Sequence, residues 1–179
     1  MAELRAPEPV SVGAKVTVAD AAECLGLTAA DVIAGVHPPQ VVSVGLPFLI
    51  VELGSRASLA RARPSTAAHE RVLPPAGTDA VFAYVRGEAP GTLHARMFAP
   101  LDGIVEDPAT GSASAATIAL LDSLSPASTA GRVWRIEQGV EMGRPSILHG
   151  RTEKRAGLVT AAYIAGCAVR VMSGEIEIS

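Results

Sequence analysis

The chain has 179 residues, the length of one domain or at most two small ones, and 49% of them are apolar, which is enough for a sizeable core. A formal net charge of −3, the lack of a basic run and an aromatic content of 3% argue against nucleic-acid binding. No apolar run reaches the ~20 residues of a membrane-spanning helix, and no signal-peptide pattern is visible, so we expect a cytoplasmic protein without membrane contact.

The first segment, MAELRAPEPVSVG, is rich in proline and lacks hydrophobic periodicity, which indicates a linker or an extended lead-in. Two short helices should follow it. Thr17 can cap the first helix and Thr28 the second, and each threonine has an aspartate three residues later, as in a capping box. Glycines should end both helices, at Gly26 and Gly35.

The run Val41–Leu53 has the composition of β-strands. Its second half, FLIVEL, is apolar enough to be a buried strand, whereas Pro47 favours an edge or entry position for the first half. Ser55 can then cap a short helix that extends to Arg63, and Ala67–Leu73 can form another helical turn.

Two segments that alternate between apolar and polar residues, DAVFAYVRG and TLHARMFAP, predict the next strands. In the second strand one face should carry three apolar side chains, those of Leu93, Ala95 and Met97. The opposite face should carry His94 and Arg96, which we interpret as residues of the sheet surface.

The segment Ala113–Leu124 is apolar on all sides, which predicts a helix surrounded by protein. GRVWRIEQG and RPSILHGRTEK indicate two further strands, and GLVTAAYIAGCAVRVMSGEIEI predicts three terminal strands with turns near Gly166 and at Ser173–Gly174. Strands outnumber helices, and no βαβ alternation or repeat is apparent. The sequence therefore predicts an α+β fold in which a curled, mostly antiparallel β-sheet wraps one central apolar α-helix.

The segment EDPATGSASAA, directly before that helix, is the clearest candidate for a functional site. Pro108 favours an extended Asp107, held off the helix, and Thr110 or Ser112 can cap the helix. Gly111 and the small residues after it allow a ligand to approach the first helical amides, which favour a carboxylate or phosphate. Asp107 would then lie beside the anion and could transfer a proton. An ordinary turn and helix cap would explain the same residues.

The sequence gives little support for a disulfide, a metal site, a nucleotide site or a serine nucleophile. Cys24 and Cys167 each lie in an apolar stretch without a metal or redox spacing, so we expect two buried, unpaired thiols. The four histidines lack the spacing of a metal site, and no glycine-rich nucleotide motif or GxSxG motif is present. We therefore expect neither a metal nor a cofactor.

Three stretches, RMFAPLDGIVEDPATGSASAA, EQGVEMGRPSIL and GLPFLIVEL, together resemble the PhzF-like family of phenazine-biosynthesis isomerases, which is related to diaminopimelate epimerase. The order EDPATGSA and, about 25–30 residues later, QGxxMGRPS is more specific than either motif alone. The resemblance covers essentially the whole chain but only part of the family's length. It implies the second of two similar lobes, with residues 1–12 as the interlobe crossover and residues 13–179 as the lobe.

For this chain the resemblance implies an isomerase that moves a proton between carbons of a small carboxylate substrate without a cofactor. Asp107 matches the acidic residue of the second lobe, at the place where the related epimerases carry a catalytic cysteine. Thr110, Gly111 and Ser112 match the segment that holds a substrate carboxylate. The family's principal glutamate acid/base belongs to the first lobe, and nothing in this chain matches it.

We therefore expect the catalytic site to need a complementary lobe, which could be a lost piece, a separate polypeptide or a second copy of this chain. Two other hypotheses fit the same residues. A lone lobe could bind carboxylates without turning them over. It could also be an oligomerising remnant, because an exposed apolar wall of the cleft would favour a homodimer.

Overall fold

The computed structural model describes residues 1–125 and 131–177. Within these residues eleven strands form one sheet: β1 (Ala2–Arg5), β2 (Ser11–Lys15), β3 (Val32–Ile33), β4 (Gln40–Ser43), β5 (Pro47–Leu53), β6 (Val81–Arg86), β7 (Thr92–Ala99), β8 (Ile104–Asp107), β9 (Val133–Gln138), β10 (Ser146–Arg155) and β11 (Leu158–Gly166). The α-helices are α1 (Val18–Cys24), α2 (Arg56–Arg61), α3 (Thr66–Ala76) and α4 (Gly111–Ser123).

The sheet has the strand order β1-β11-β10-β9-β7-β6-β5-β4-β2, with β3 paired to β5 and β8 paired to β7. Most pairs are antiparallel, as predicted, but β5–β6 and β7–β9 are parallel. Parallel neighbours need a crossover, and α2 and α3 provide the first one while α4 lies in the second. The expectation that the chain has no βαβ alternation was therefore wrong.

Helix α4 is the centre of the fold. Every residue from Ala113 to Asp122 is buried, since the helix lies against β10 and β11 on one side and against β4 and β5 on the other. The inner face of the sheet contributes large apolar side chains around it, among them Phe48, Ile50, Phe82, Leu93, Trp134, Ile136 and Leu148. The predicted curled sheet around one apolar helix is confirmed.

The N-terminal segment joins the two ends of the curled sheet. The Ala6 amide donates to the Ala162 carbonyl of β11 at 2.8 Å, and the Glu8 amide donates to the Val44 carbonyl beside β4 at 3.2 Å. Residues 1–12 are therefore extended, as expected, but they include β1 and the start of β2 and are part of the sheet. Their role as a crossover between lobes stays a prediction.

A second core lies on the outer face of the sheet, under α1, α2 and α3. In β5, Leu49 and Val51 face this outer core, whereas Phe48 and Ile50 face α4. Because both faces of β5 are covered, its sequence is a continuous apolar run and does not alternate between apolar and polar residues. In β7 the alternation is as predicted, since Met97 and its two apolar neighbours on that face point to α4.

Several local predictions are confirmed and several are not. Thr17 and Ser55 accept hydrogen bonds from the first turns of α1 and α2. The helix predicted after Thr28 is a single 3₁₀ turn, because the chain continues directly into β3. Helix α3 extends through Pro74 and Pro75, and β4 lies between two strands instead of at an edge.

The strands predicted after Gly166 are wrong for the described residues. Residues 167–177 have no regular structure and are exposed, and Ile178 lies outside the described part of the chain. Strand β11 loses its neighbour β1 at this point, because β1 begins at Ala2, the partner of Gly166. As a consequence Cys167 is exposed, contrary to expectation. Cys24 is buried as expected, and burial raises the pKa of its thiol to about 11.

No helix in the described ranges is long and apolar enough to cross a bilayer.

The buried His69 of α3 predicts a dependence of stability on pH. Its side chain has no solvent exposure, and Nδ1 donates to the Ser65 carbonyl at 2.9 Å. Burial lowers the pKa of His69, and the bond to Ser65 opposes this effect only partly. The unfolded chain then binds more protons than the folded chain below about pH 6.5, so the free energy of unfolding should fall as the pH decreases from about 6.5.

We expect the His69→Phe variant to lose part of this pH dependence, measured by urea unfolding at pH 7 and pH 5. The Ser65 carbonyl keeps a partner in this variant because it also accepts the backbone amide of residue 69. His149→Gln, at an exposed position, is the control and should keep the wild-type dependence. An unchanged pH dependence in His69→Phe would show that His69 does not contribute.

Candidate active site

The four predicted site residues lie at the junction of β8 and α4. Asp107 ends β8, where it pairs with Met97 of β7, and Thr110 occupies the N-cap position before Gly111, the first residue of α4. Asp107 is half-buried and Thr110 is buried. These residues are neighbours in the sequence and would lie close together in any fold. The orientation of their side chains is therefore what the structure adds.

The side chain of Thr110 is directed at Asp107. Its hydroxyl donates to Oδ2 of Asp107 at 2.5 Å. The Thr110 side chain makes no hydrogen bond to the first turn of α4. Of the two N-cap candidates, Thr110 therefore occupies the N-cap position, but its hydroxyl does not bond to the helix. The first amides of a helix have no intrahelical acceptor, so those of α4 stay available to another partner.

Gln138 completes this arrangement, and the sequence did not single it out. Its Nε2 donates to the Asp107 carbonyl at 2.7 Å and to Oγ1 of Thr110 at 2.9 Å. Its Oε1 accepts the Thr110 amide at 3.0 Å. The side chain is fully buried. Gln138 thus fixes the backbone between Asp107 and the helix and orients the threonine hydroxyl.

The sheet register explains why Gln138 meets Asp107. Strands β8 and β9 lie along the same edge of β7, one after the other. Ala95 pairs with Gln138 of β9, and Met97, two residues later, pairs with Asp107 of β8. The only sequence signal was the motif QGxxMGRPS, which begins at Gln138 and was singled out for the family resemblance.

Gly139 in that motif packs on the backbone of Pro108. Its φ is +77°, and a Cβ at this position would lie 2.9 Å from the Pro108 carbonyl oxygen. Only glycine fits both the backbone conformation and the space. The two motifs that carried the resemblance, EDPATGSA and QGxxMGRPS, therefore touch each other in the fold.

Arg96 anchors the strand that carries Asp107. It is 3% exposed, and its Nε and one terminal nitrogen donate to the two oxygens of Glu106 at 2.8 and 2.7 Å. The other terminal nitrogen donates to the carbonyls of Leu59 and Ala62 at the end of α2. The interpretation of Arg96 as a surface residue was wrong, because the outer face of β7 is covered by helices. His94 is half-buried, and its Nδ1 lies 2.7 Å from Glu137.

Two hollows meet at the start of α4. The larger has a volume of about 600 Å³ and includes Thr110 and Ser112 in its wall, beside the apolar side chains of Phe48, Met97 and Ile104. The smaller, of about 220 Å³, lies between Gly111, Ser112 and Ala115 of the helix and the N-terminal segment. The opening of the helix is therefore not filled by the protein's own side chains.

The walls of these two hollows contain no lysine or arginine among the described residues, and Asp79 and Asp102 lie at the rim of the larger one. The attraction for an anion at this place would therefore come from the amides and the dipole of α4. Asp107 is not part of either wall, but it accepts a hydrogen bond from Thr110, which is part of the larger one. A small acid bound at the helix start would be next to a carboxylate whose orientation is fixed.

Comparison with known proteins identifies the family of this chain. A family model described as phenazine biosynthesis-like protein matches residues 3–174. The chain belongs to this family. An uncharacterized isomerase of Mesorhizobium japonicum is 32% identical over 178 residues, which are 96% of this chain and 58% of that protein. Trans-2,3-dihydro-3-hydroxyanthranilate isomerase of Pseudomonas chlororaphis is 42% identical over 81 residues, 45% of this chain and 29% of that enzyme.

Solved structures of the family give the same fold. A PhzF-family phenazine biosynthesis protein of Bacillus anthracis superposes with a TM-score of 0.82 at 22% identity, over 98% of this chain and 60% of that one. A predicted epimerase of Pseudomonas aeruginosa superposes with a TM-score of 0.66 at 28% identity, over 96% and 58%. The chain spans less than two thirds of the length of these relatives.

The hydrogen bonds of Gln138 predict that its replacement destabilises the fold. Gln138→Leu keeps the size of the side chain but leaves the Thr110 amide and the Asp107 carbonyl without this partner, which should lower the free energy of unfolding by about 2 kcal/mol or more. Arg135→Leu, on the exposed face of the same strand, is the matched control and should change stability by less than about 0.5 kcal/mol. Equal effects of both changes in urea unfolding would contradict the assigned role.

Proposed function

We propose that this chain is the part of a PhzF-type isomerase that binds a small carboxylate and supplies one of two groups for proton transfer. The single observation that carries this proposal is the open start of α4, with its free amides beside an oriented Asp107. The names of the relatives, several of which are isomerases, support the same reaction class.

Binding would use the backbone more than side chains. The carboxylate of the substrate would accept hydrogen bonds from the amides of Gly111 and Ser112 at the positive end of the α4 dipole. Gly111 has no side chain to block this approach, and the hydroxyl of Ser112 is half-buried in the wall of both hollows. The apolar walls around Phe48 and Met97 would accommodate the carbon skeleton of the substrate.

Proton transfer would use Asp107. Within the described residues its Oδ2 is bonded to Thr110, whereas no hydrogen bond to Oδ1 is present, so Oδ1 would be the oxygen available for proton transfer once the substrate reaches Asp107. An isomerisation removes a proton from one carbon and returns a proton to another, so it needs a base and an acid. Asp107 would be one of these groups. The second would come from the part of the family's length that this chain does not span.

This mechanism requires neither a metal nor a redox cofactor, because only protons move. Trans-2,3-dihydro-3-hydroxyanthranilate, named for the Pseudomonas chlororaphis relative, is the first compound to test.

A second candidate function is a carboxylate-binding module without turnover. The observation that favours it is that Asp107 is not part of the wall of either hollow, whereas Gly111 and Ser112 are. The two candidates share the binding site and differ only in whether a carbon-bound proton is exchanged.

The decisive experiment combines calorimetry with NMR of the compound in D₂O. Exchange at a single carbon needs only one acid/base group, so the isomerase hypothesis predicts binding together with entry of deuterium at carbon even for this chain. Asp107→Asn should slow this exchange by about 10²-fold or more while binding stays within a few-fold of the wild type. Glu70→Gln, which neutralises an exposed carboxylate of α3 outside both hollows, is the control and should retain exchange.

Binding without deuterium entry would favour the binding module, and the lack of both would contradict the proposed site. If Asp107→Asn unfolds the protein, Asp107 is a structural residue and its assignment as an acid/base is wrong. Circular dichroism of each variant therefore accompanies the measurement.

A further inference from the structure

A chain of hydrogen bonds joins three buried polar side chains that lie outside the candidate active site. His37, in the segment between β3 and β4, is 3% exposed. Its Nε2 lies 2.9 Å from the hydroxyl of Tyr84, which lies 2.8 Å from Oε2 of Glu52. Glu52 and Tyr84 are buried partners in the parallel register of β5 and β6. None of the three belongs to the wall of either hollow at the start of α4.

Both ends of this chain of hydrogen bonds are acceptors. At one end, Nδ1 of His37 lies 2.8 Å from the carbonyl oxygen of Pro38, which has no hydrogen to donate. At the other end, the carboxylate of Glu52 only accepts hydrogen bonds while it is ionised. Arg86 favours the ionised form, because its Nε and a terminal nitrogen donate to the two carboxylate oxygens at 2.7 and 3.3 Å.

The three contacts need three hydrogens. One must lie between Nδ1 and Pro38, one between Nε2 and the Tyr84 hydroxyl, and one between that hydroxyl and Glu52. A neutral histidine and a tyrosine supply only two. Burial, assisted by the charge of Glu52, raises the pKa of Tyr84, so the phenol keeps its hydrogen and donates it to the carboxylate. The third hydrogen must therefore be on the histidine ring.

We propose that His37 is an imidazolium in the folded protein at neutral pH and forms a proton-dependent latch with Tyr84 and Glu52. The charge of the ring is balanced by Glu52, whose Oε2 lies 4.0 Å from Nε2. Besides Glu52 of β5, the described titratable groups in contact with the latch are Tyr84 and Arg86 of β6. The guanidinium of Arg86 is partly exposed, so solvent screens its repulsion of the ring. This proposal concerns the fold and does not depend on the proposed function.

Loss of the third proton would leave two acceptors facing each other without a hydrogen, which is unfavourable inside a protein. A histidine in the unfolded chain loses its second ring hydrogen near pH 6.5. Between neutral and mildly alkaline pH the folded chain then binds more protons than the unfolded chain, so the latch stabilises the fold less as the pH rises. The latch therefore holds the segment before β4 most firmly at and below neutral pH.

NMR of the ¹⁵N-labelled protein counts the hydrogens on each ring nitrogen. At pH 7.5 we expect hydrogen on both nitrogens of His37, whose signals are identified by their absence in His37→Gln. The exposed His149 is the internal control and should carry one ring hydrogen in most molecules at this pH. A His37 ring with one hydrogen at pH 7.5 would overturn the proposal.

Glu52→Gln tests the origin of the third proton, because the amide supplies that hydrogen covalently. Its Nε2 can donate to the Tyr84 hydroxyl, which can then donate to a neutral His37, while its Oε1 still accepts from Arg86. We expect one ring hydrogen on His37 in this variant at pH 7.5, and two would contradict the latch. If the variant does not fold, the count of ring hydrogens in the wild type decides.

Urea unfolding measures the effect on stability. Between pH 7 and pH 8.5 the folding equilibrium constant of the wild type should fall about threefold or more relative to that of Glu52→Gln. The thiol of Cys24 also affects stability in this range, but it is present in both proteins and cancels in the comparison. Glu88→Gln, at an exposed position after β6, is the matched control and should behave like the wild type. Equal pH dependence of the wild type and Glu52→Gln would exclude the latch.

Discussion

A helix that is apolar on every side must be enclosed, and enclosure leaves only its two ends for polar chemistry. In α4 these ends differ. At the C-terminal end the buried Asp122 accepts the Thr152 hydroxyl and lies 3.4 Å from Nε of Arg132, and Lys154 donates to the Ser125 carbonyl at 3.1 Å. At the N-terminal end no side chain caps the helix, and two hollows meet there. The fold therefore leaves the positive end of the dipole free for a ligand.

A few contacts both close the sheet around α4 and position the residues of the candidate site. The N-terminal segment closes the sheet by bonding to β11 and to the residue after β4, and it also forms a wall of the smaller hollow. Gln138 connects the turn before α4 to the neighbouring strand, and Arg96 holds the adjacent Glu106. Each of these contacts joins residues far apart in the sequence. Asp107 is thus positioned by the whole sheet and not by its local turn.

Much of this fold could be predicted from the sequence, because local composition determines it. The apolar helix Ala113–Leu124, the helix caps at Thr17 and Ser55 and the alternation in β7 depend on neighbouring residues, and all were correct. The parallel pairs could not be predicted in the same way, because strand direction depends on how distant segments cross over the sheet.

The candidate site could likewise be predicted only where local composition determines it. The segment around Asp107 and Gly111 has a recognisable composition, so it was found. The hydrogen bond by which Gln138 holds the backbone of Asp107 depends on the sheet register, and no local sequence pattern reveals that register. Residues 167–177 show the opposite error, since their composition predicts strands whereas they have no regular structure.

The central claim is that the free amides at the start of α4 bind a small carboxylate. Amide NMR of the ¹⁵N-labelled chain during titration with benzoate tests it most directly. The account predicts that the largest shift changes occur at the amides of Gly111 and Ser112, that they saturate with concentration, and that benzyl alcohol, which lacks the charge, does not cause them. Shift changes confined to other parts of the surface, or equal changes with both compounds, would contradict it.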